Sequence, residues 1–282
     1  MLGNYLGALH SYLRNPSHFI RAIRWWRPDQ PSPENHIFVV GAPRSGTSLM
    51  RTILTSHPDL CGYSGESGLF TWKDIFKEQR RFFGFDKSTQ RKLLDEAEDV
   101  VQFLDRAAEV VKHRSGGERF VEKTPQHVLY LSFLTTYFPK AKVVNMQRDG
   151  RDCFCSARAA TIPHADGLKR FAWYWRRCIN ARSKVQSGRN IFNVKYEDLT
   201  SRPKATVKQV MGFLEEPFDR RQLAVESRIE DRRSNFEHLR KLARPIDAEN
   251  QERWRDELSI REVTIFQRIA GKQLACLGYP LL

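Results

Sequence analysis

Short apolar runs separated by stretches of helical period set the plan of this chain. Residues 36–41 (HIFVVG), 119–123 (RFVEK), 141–147 (AKVVNMQ) and 190–196 (NIFNVKY) read as strands. The first is short and apolar, as suits a buried strand of a parallel sheet. Residues 47–56 follow as a helix stopped by His57-Pro58. Apolar positions 93, 97, 100/101, 104, 107/108 and 111 recur at helical spacing through 88–114, with Ser88 as the expected N-cap. Residues 126–138 and 150–160 read as helices. So do 167–187, where Leu168, Phe171/Ala172, Trp175, Cys178/Ile179 and Arg182 form one stripe. A helix opens at Pro203, where proline is favoured in the first turn. The last helix starts at the capping box Ser259-x-x-Glu262 and stops at Gly278, with Pro280 beyond. Strands alternating with helices predict a single three-layer α/β/α domain around a central parallel sheet, with helical insertions.

The chain has 282 residues, enough for a substantial core, and a net charge of +14. The excess is uneven: residues 139–189 hold twelve Lys/Arg against three acids. Such a patch attracts nucleic acid, an anionic membrane or a polyanionic small molecule, or it is a solvated basic face. Five cysteines without framework spacing argue against a disulfide-stapled secreted domain. Cys153-Phe154-Cys155 has no second ligand cluster, so no metal site is expected. No run approaches the ~18 apolar residues of a membrane span, and the N-terminus lacks the pattern of a signal peptide. The expectation is a cytoplasmic protein. Its segment 1–35 interleaves Tyr5, Tyr12, Phe19, Trp25 and Trp26 with Arg14, Arg21, Arg24 and Arg27. That composition suits peripheral contact with an anionic membrane, or equally a helix packed on the domain.

Candidate chemistry begins at GAPRSGTS, residues 41–48. A strand, a tight loop and a helix N-terminus offer backbone N–H groups and a positive dipole end to an anion. Gly41 and Gly46 allow close approach, while Ser45, Thr47 and Ser48 add hydroxyls. A P-loop NTPase would carry Lys after the second glycine. Here the loop's cation is Arg44. The third strand then delivers Arg148 at its carboxyl end, with Ser156 on the following helix. In an open parallel sheet, ligands sit beyond the carboxyl ends of the strands. Two anion sites in one crevice suggest a nucleotide phosphorylated at two separate places.

Taken in order, these motifs resemble the sulfotransferases that use 3′-phosphoadenosine 5′-phosphosulfate (PAPS), especially the bacterial and tyrosylprotein branch. The matching stretches are GAPRSGTSLMRTILTSHPDL, EKTP (122–125), RDGRDCFCS, VKYEDLTSRP (194–203), VMGFLEEPFD and the tail RWRDELS…LGYPL, together spanning 36–281. The resemblance makes 36–282 the sulfotransferase domain. It implies that Arg44, Ser45, Gly46, Thr47 and Ser48 hold the 5′-phosphosulfate, and that Arg148 and Ser156 grip the 3′-phosphate. Tyr196 would lie near the nucleotide. Two departures from the cytosolic small-molecule branch stand out: Leu49 replaces the aromatic on which adenine stacks, and Pro125 replaces the catalytic His of a Lys-Thr-His triplet. The branch with the Arg-type loop uses a Glu shortly after the His-Pro turn, which here points to Glu66, with His57 as the competing base. Arg44 and Lys123 would meet charge on the departing bisphosphate. No metal is implied. The partner is a hydroxyl-bearing acceptor (carbohydrate, glycolipid, phenol or tyrosine), shaped by residues 67–118, 160–168 and 228–252. A P-loop kinase and a non-enzymatic nucleic-acid-binding protein are the rival readings, although no specific nucleic acid is expected.

Overall fold

A computed structural model describes residues 24–71, 81–160, 167–185, 190–224, 246 and 248–282. Five strands form one sheet: β1 (Ile37–Gly41), β2 (Leu60–Gly62), β3 (Arg119–Lys123), β4 (Lys142–Gln147) and β5 (Ile191–Lys195), in the order β2-β3-β1-β4-β5. Every neighbouring pair is parallel. The helices are α1 (Thr47–Leu54), α2 (Lys87–Glu96), α3 (Val100–Ser115), α4 (Leu131–Tyr137), α5 (Gly150–Ala159), α6 (Leu168–Ser183), α7 (Tyr196–Ser201), α8 (Pro203–Leu214), α9 (Trp254–Glu257) and α10 (Ile260–Cys276).

Strand alternation sorts the apolar residues into two cores. Ile37 and Val39 of β1 join Val144, Met50 of α1 and Val210 of α8 on one face of the sheet. Phe38 and Val40 join residues of α3, α5, α6 and α10 on the other. The sheet is therefore covered on both sides, as the three-layer reading requires. Among the described residues no helix is long and apolar enough to cross a membrane.

Several details differ from the sequence reading, each for a local reason. The sheet gains β2, whose three residues LCG are too few for a periodicity to register. The helix expected over 88–114 is two helices. Asp86 rather than Ser88 caps the first, accepting the Thr89 N–H. The chain is extended at Ala97, and Asp99 then caps the second by accepting from Val101 and Gln102. Apolar spacing runs through this joint because both helices turn the same face to the core. Residues 125–130 form a 3-10 turn before α4, with Pro125 in its first position, where no N–H is needed. Trp25, one of the aromatics that suited either a membrane contact or a helix packed on the domain, is fully buried, its ring 5.7 Å from that of Phe103, as the second alternative expects. It belongs to the core. Tyr5, Tyr12, Phe19, Arg14 and Arg21 lie outside the described residues, as do residues 161–166 and most of 228–252.

If Asp99 separates α2 from α3, Asp99→Ala should lower stability by about 1 kcal/mol. Asp99→Asn, which can still accept, should fall between the two. Urea denaturation of the three proteins checks this, and a midpoint for Asp99→Ala equal to wild type would contradict it.

Candidate active site

All five strands end at the same edge, and each delivers one piece of the site there. Past β1 comes the anion loop, past β2 Glu66, at the end of β3 Lys123, past β4 Arg148 and past β5 Tyr196. This edge is where open parallel sheets bind ligands.

The loop is built around two glycines. Gly41 has φ +153°, and an added Cβ would stand 2.4 Å from the Met146 carbonyl oxygen and 2.7 Å from Ser45 Oγ. Gly46 caps α1 in the left-handed region, at φ 93° and ψ 14°. A Cβ there would meet the Tyr196 ring at 2.6 Å. Arg44 also has a left-handed backbone, at φ 68°. For a residue with a side chain that conformation is costly, and it lets the loop turn back into α1. Ser45 is buried, and its hydroxyl donates to the Ala42 carbonyl at 2.7 Å. Its side chain thus closes the loop rather than facing a ligand. Thr47 is buried and Ser48 half-buried in the first turn of α1. Leu49 is half-buried against the core on the α1 face.

Arg44 and Arg148 come together beside this loop. Arg44 Nε donates to Ser156 Oγ at 3.2 Å, and Arg148 Nη1 donates to the Arg44 carbonyl at 3.1 Å. The Arg148 guanidinium lies 4.2 Å over the centre of the Tyr196 ring, and its Nη2 donates to the Asn250 carbonyl. Arg148 Nε is buried with no hydrogen-bond partner among the described residues. Burial, and then the nearby Arg148 charge, push the Arg44 pKa below the ordinary arginine value. Two guanidiniums held this close favour an anion between them. The sequence reading divided Arg44 from Arg148 and Ser156. In the structure the Arg44 side chain reaches across to Ser156 and joins the two sites.

Arg148 is fixed from beneath. Trp175 Nε1 donates to its carbonyl at 3.3 Å. Asp149 caps α5 and pairs with buried Arg151. Asp152 accepts the N–H groups of Glu252 and Trp254 at 2.8 and 3.0 Å, which brings residues 250–254 down over α5. Burial, against the pull of Arg148, raises the Asp152 carboxyl to about 6.

On the other side of the loop, Lys123 Nζ donates to Glu66 Oε1 at 3.0 Å. The lysine side chain is 3% exposed and the carboxylate 42% exposed, so the pair spans from core to cleft. Burial lowers the Lys123 pKa below the usual lysine value, and Glu66 opposes the shift. His57 is buried at the end of α1, where its Nδ1 accepts the Asp59 N–H at 3.2 Å. It serves as a local cap. Sequence reasoning singled out EKTP without giving Glu122 or Thr124 a role and missed His127 and Ser67; the four form a buried hydrogen-bonded group, with Ser67 next to Glu66 in the chain. The signal was present as an acid inside the apolar run RFVEK. Among the described residues no group of three His, Cys, Asp or Glu could hold a metal ion.

The sequence model of the sulfotransferase family matches residues 36–220. Protein-tyrosine sulfotransferase 1 of Danio rerio is 27% identical over 296 residues, covering 97% of this chain and 79% of its own length. Among solved structures, the sulfotransferase domain of the Synechococcus PCC 7002 olefin synthase superposes with a TM-score of 0.64 at 19% identity, over 87% of this chain and 98% of its own. A mouse sulfotransferase complexed with PAP superposes at 0.54 with 13% identity, over 87% and 86%. At these identities the structural likeness speaks for the fold.

The loop geometry makes a direct prediction. Gly46→Ala drives a methyl into the Tyr196 ring and should weaken binding of adenosine 3′,5′-bisphosphate at least tenfold by calorimetry. Gly116→Ala is the control: it also sits at positive φ, 74°, but its added methyl would meet nothing within 4 Å. It should bind as wild type does. Equal affinities in the two variants would count against the loop as an anion site.

Proposed function

The chain belongs to the sulfotransferase family and moves a sulfuryl group from PAPS to an acceptor hydroxyl, and on that premise we propose which residues perform each part. The anion loop, through its backbone N–H groups with Thr47 and Ser48, receives the 5′-phosphosulfate. Arg148 and Ser156 receive the 3′-phosphate, and Arg44 stands between the two. The observation that carries this reading is the meeting of Arg44, Arg148 and Ser156 beside a loop whose glycines leave no room for side chains. Arg148 Nε, buried without a hydrogen-bond partner among the described residues, supplies a further donor.

Sulfuryl transfer, like phosphoryl transfer, depends on positioning and on stabilising charge. In this reading Glu66 takes the acceptor proton as the acceptor oxygen bonds to sulfur and the bond to the bridging oxygen breaks. General-base action of this kind is worth ~10²–10⁴-fold. Charge then collects on the departing oxygen. Lys123 has three N–H donors and gives one to Glu66, so others are free to meet that charge. Pro125 cannot accept a proton, and His57 is engaged by its own turn. Both facts favour Glu66. Within the acceptor classes of carbohydrate, glycolipid, phenol and tyrosine, kinship with a protein-tyrosine sulfotransferase supports a phenolic hydroxyl. Residues 67–118 flank Glu66 in sequence and contribute to the acceptor side.

Two predictions test the two halves of the site. Losing a charge-assisted contact to the 3′-phosphate costs about 1.5–3 kcal/mol, or about 10- to 150-fold. Wild type should bind adenosine 3′,5′-bisphosphate that much more tightly than AMP. Arg148→Ala should erase most of the preference and Ser156→Ala less, because serine donates without charge. Since Arg148 also supports the loop carbonyl, the preference rather than the absolute affinity is the quantity to read by calorimetry. No preference in wild type would rule out the 3′-phosphate site.

For the other half, Glu66→Gln keeps the shape but not the basicity. Turnover should fall by two orders of magnitude or more, with bisphosphate affinity nearly intact. Labelled sulfuryl transfer from PAPS to a tyrosine peptide or a simple phenol measures it. Turnover within about threefold of wild type would remove Glu66 as the base.

A further inference from the structure

The segment after Glu66 is held by a network that the mechanism above does not use. β3 presents its last two residues to opposite faces of the sheet. On one face Lys123 bonds Glu66. On the other, Glu122 is 2% exposed and accepts three hydrogen bonds. Ser67 Oγ and Thr124 Oγ1 both donate to its Oε1, at 2.6 and 2.8 Å. His127 Nδ1 donates to its Oε2 at 3.0 Å.

Each of those three groups in turn accepts one backbone N–H. Gly68 donates to Thr124 Oγ1 at 3.0 Å, Leu69 to Ser67 Oγ at 3.2 Å and Phe70 to His127 Nε2 at 3.2 Å. Three successive amides, opening the 3-10 turn Leu69–Thr71, thus end on one carboxylate through one relay apiece. Chemistry fixes the directions. An amide N–H can only donate, so His127 Nε2 carries the lone pair and Nδ1 the hydrogen. An ionised carboxylate only accepts, so both hydroxyls turn their hydrogens to it. His127 is fully enclosed with both nitrogens committed, and it has no freedom to act as a base. Burial by itself would raise the Glu122 carboxyl, but His127, Ser67 and Thr124 outweigh it and hold the group below its ordinary value. An enclosed charge is tolerated only when its lone pairs are used. Here they are used to hold backbone.

We propose that Glu122, acting through His127, Ser67 and Thr124, is a positioning residue for sulfuryl transfer. It pins the amides of residues 68–70 and so sets the Glu66 carboxylate against Lys123. The proposal rests on Glu66 as the base, and its test separates the two.

The first measurement needs no turnover. Glutamine at position 122 keeps both hydroxyl bonds only with its oxygen toward Ser67 and Thr124, which turns its NH2 on His127 Nδ1; the imidazole must then carry its hydrogen on Nε2, and the Phe70 N–H loses its acceptor. In Glu122→Gln, hydrogen exchange at one or more of the amides 68–70 should quicken at least tenfold, while exchange in β1 stays as in wild type. The second is kinetic. Glu122→Gln should lower kcat at least tenfold with the bisphosphate Kd within twofold of wild type. In a Glu66→Gln background the same substitution should cost no more than a further twofold, because the group it positions is gone. Ser67→Ala is the milder variant should Glu122→Gln fold poorly. It should quicken Leu69 exchange and lower kcat several-fold, and Ser67→Thr, which keeps the hydroxyl, should restore both. Unchanged amide exchange, kcat within twofold of wild type, or an equal loss in both backgrounds would each overturn the proposal. A fully active Glu66→Gln would instead remove the base assignment alone, and the amide exchange would still judge the brace.

Discussion

The close approach of β1 to β4 at their carboxyl ends is the contact on which the site depends. Gly41 pairs with Met146 in parallel register, so near that a methyl group would lie 2.4 Å from the Met146 carbonyl oxygen. That approach lets the chain turn straight from the strand into the anion loop. It also sets Arg148, two residues beyond Met146, beside Arg44. With β1 in the middle of the sheet, β3 is placed equally close on its other side, and Lys123 follows. The cations therefore come from three different strands and converge only because those strands run parallel and end together. An antiparallel neighbour would have delivered its loop to the opposite edge.

Charge is unusually deep around this edge. Glu122, Lys123, Arg148, Asp149, Arg151 and Asp152 are all buried. Replacing buried ion pairs with apolar residues often costs nothing or stabilises, so stability alone is a poor reason for these groups. Position is a better one. Asp149 and Arg151 pair with each other, and Arg151 stacks 3.7 Å from the Trp254 ring centre, which fastens α9 to α5. Glu197 takes the Asp149 N–H with one oxygen and the Tyr279 hydroxyl with the other, tying the end of the chain to the turn after β4. Apart from the local Asp149–Arg151 pair, these contacts span elements far apart in sequence and end next to a residue of the anion site.

The sequence made most of the frame legible because its elements are locally consistent. Four strands, the Pro203 helix start and the Ser259–Glu262 capping box carry their own signals, and the structure has them at those places. What stayed hidden depends on partners distant in the chain. β2 is three residues long and exists because β3 offers it a ladder. Trp25 reads equally as an interfacial or a packed aromatic until Phe103, far along the chain, is seen against it. His127 reads as one more residue of a helix, although Glu122 and Phe70 give both its nitrogens their roles. Arg44, Lys123 and Arg148 were nameable from their motifs. That Arg44 reaches Ser156 was not, because the direction of a side chain on a left-handed residue is set by what surrounds it.

The loop raises the question of how an anion cradle works without the lysine that P-loop NTPases place after the second glycine. Thr47 stands at that position, buried in the first turn of α1, and cannot bring a charge to the loop. The compensating cations arrive sideways. Arg44 occupies the loop itself, yet its left-handed backbone and its bond to Ser156 turn its charge toward α5. Lys123 comes from β3 on the opposite side, tethered to Glu66. A Walker lysine lies along the loop and follows the terminal phosphates. These two cations flank it instead, one beside the second anion site and one beside the carboxylate. In the proposed mechanism, charge developing on an oxygen between them would meet a donor on each side, and the donor on the β3 side is already bonded to the carboxylate proposed to take the acceptor's proton. The leaving oxygen and the base would in that mechanism share one lysine, so the geometry that activates the acceptor would also steady the departing group.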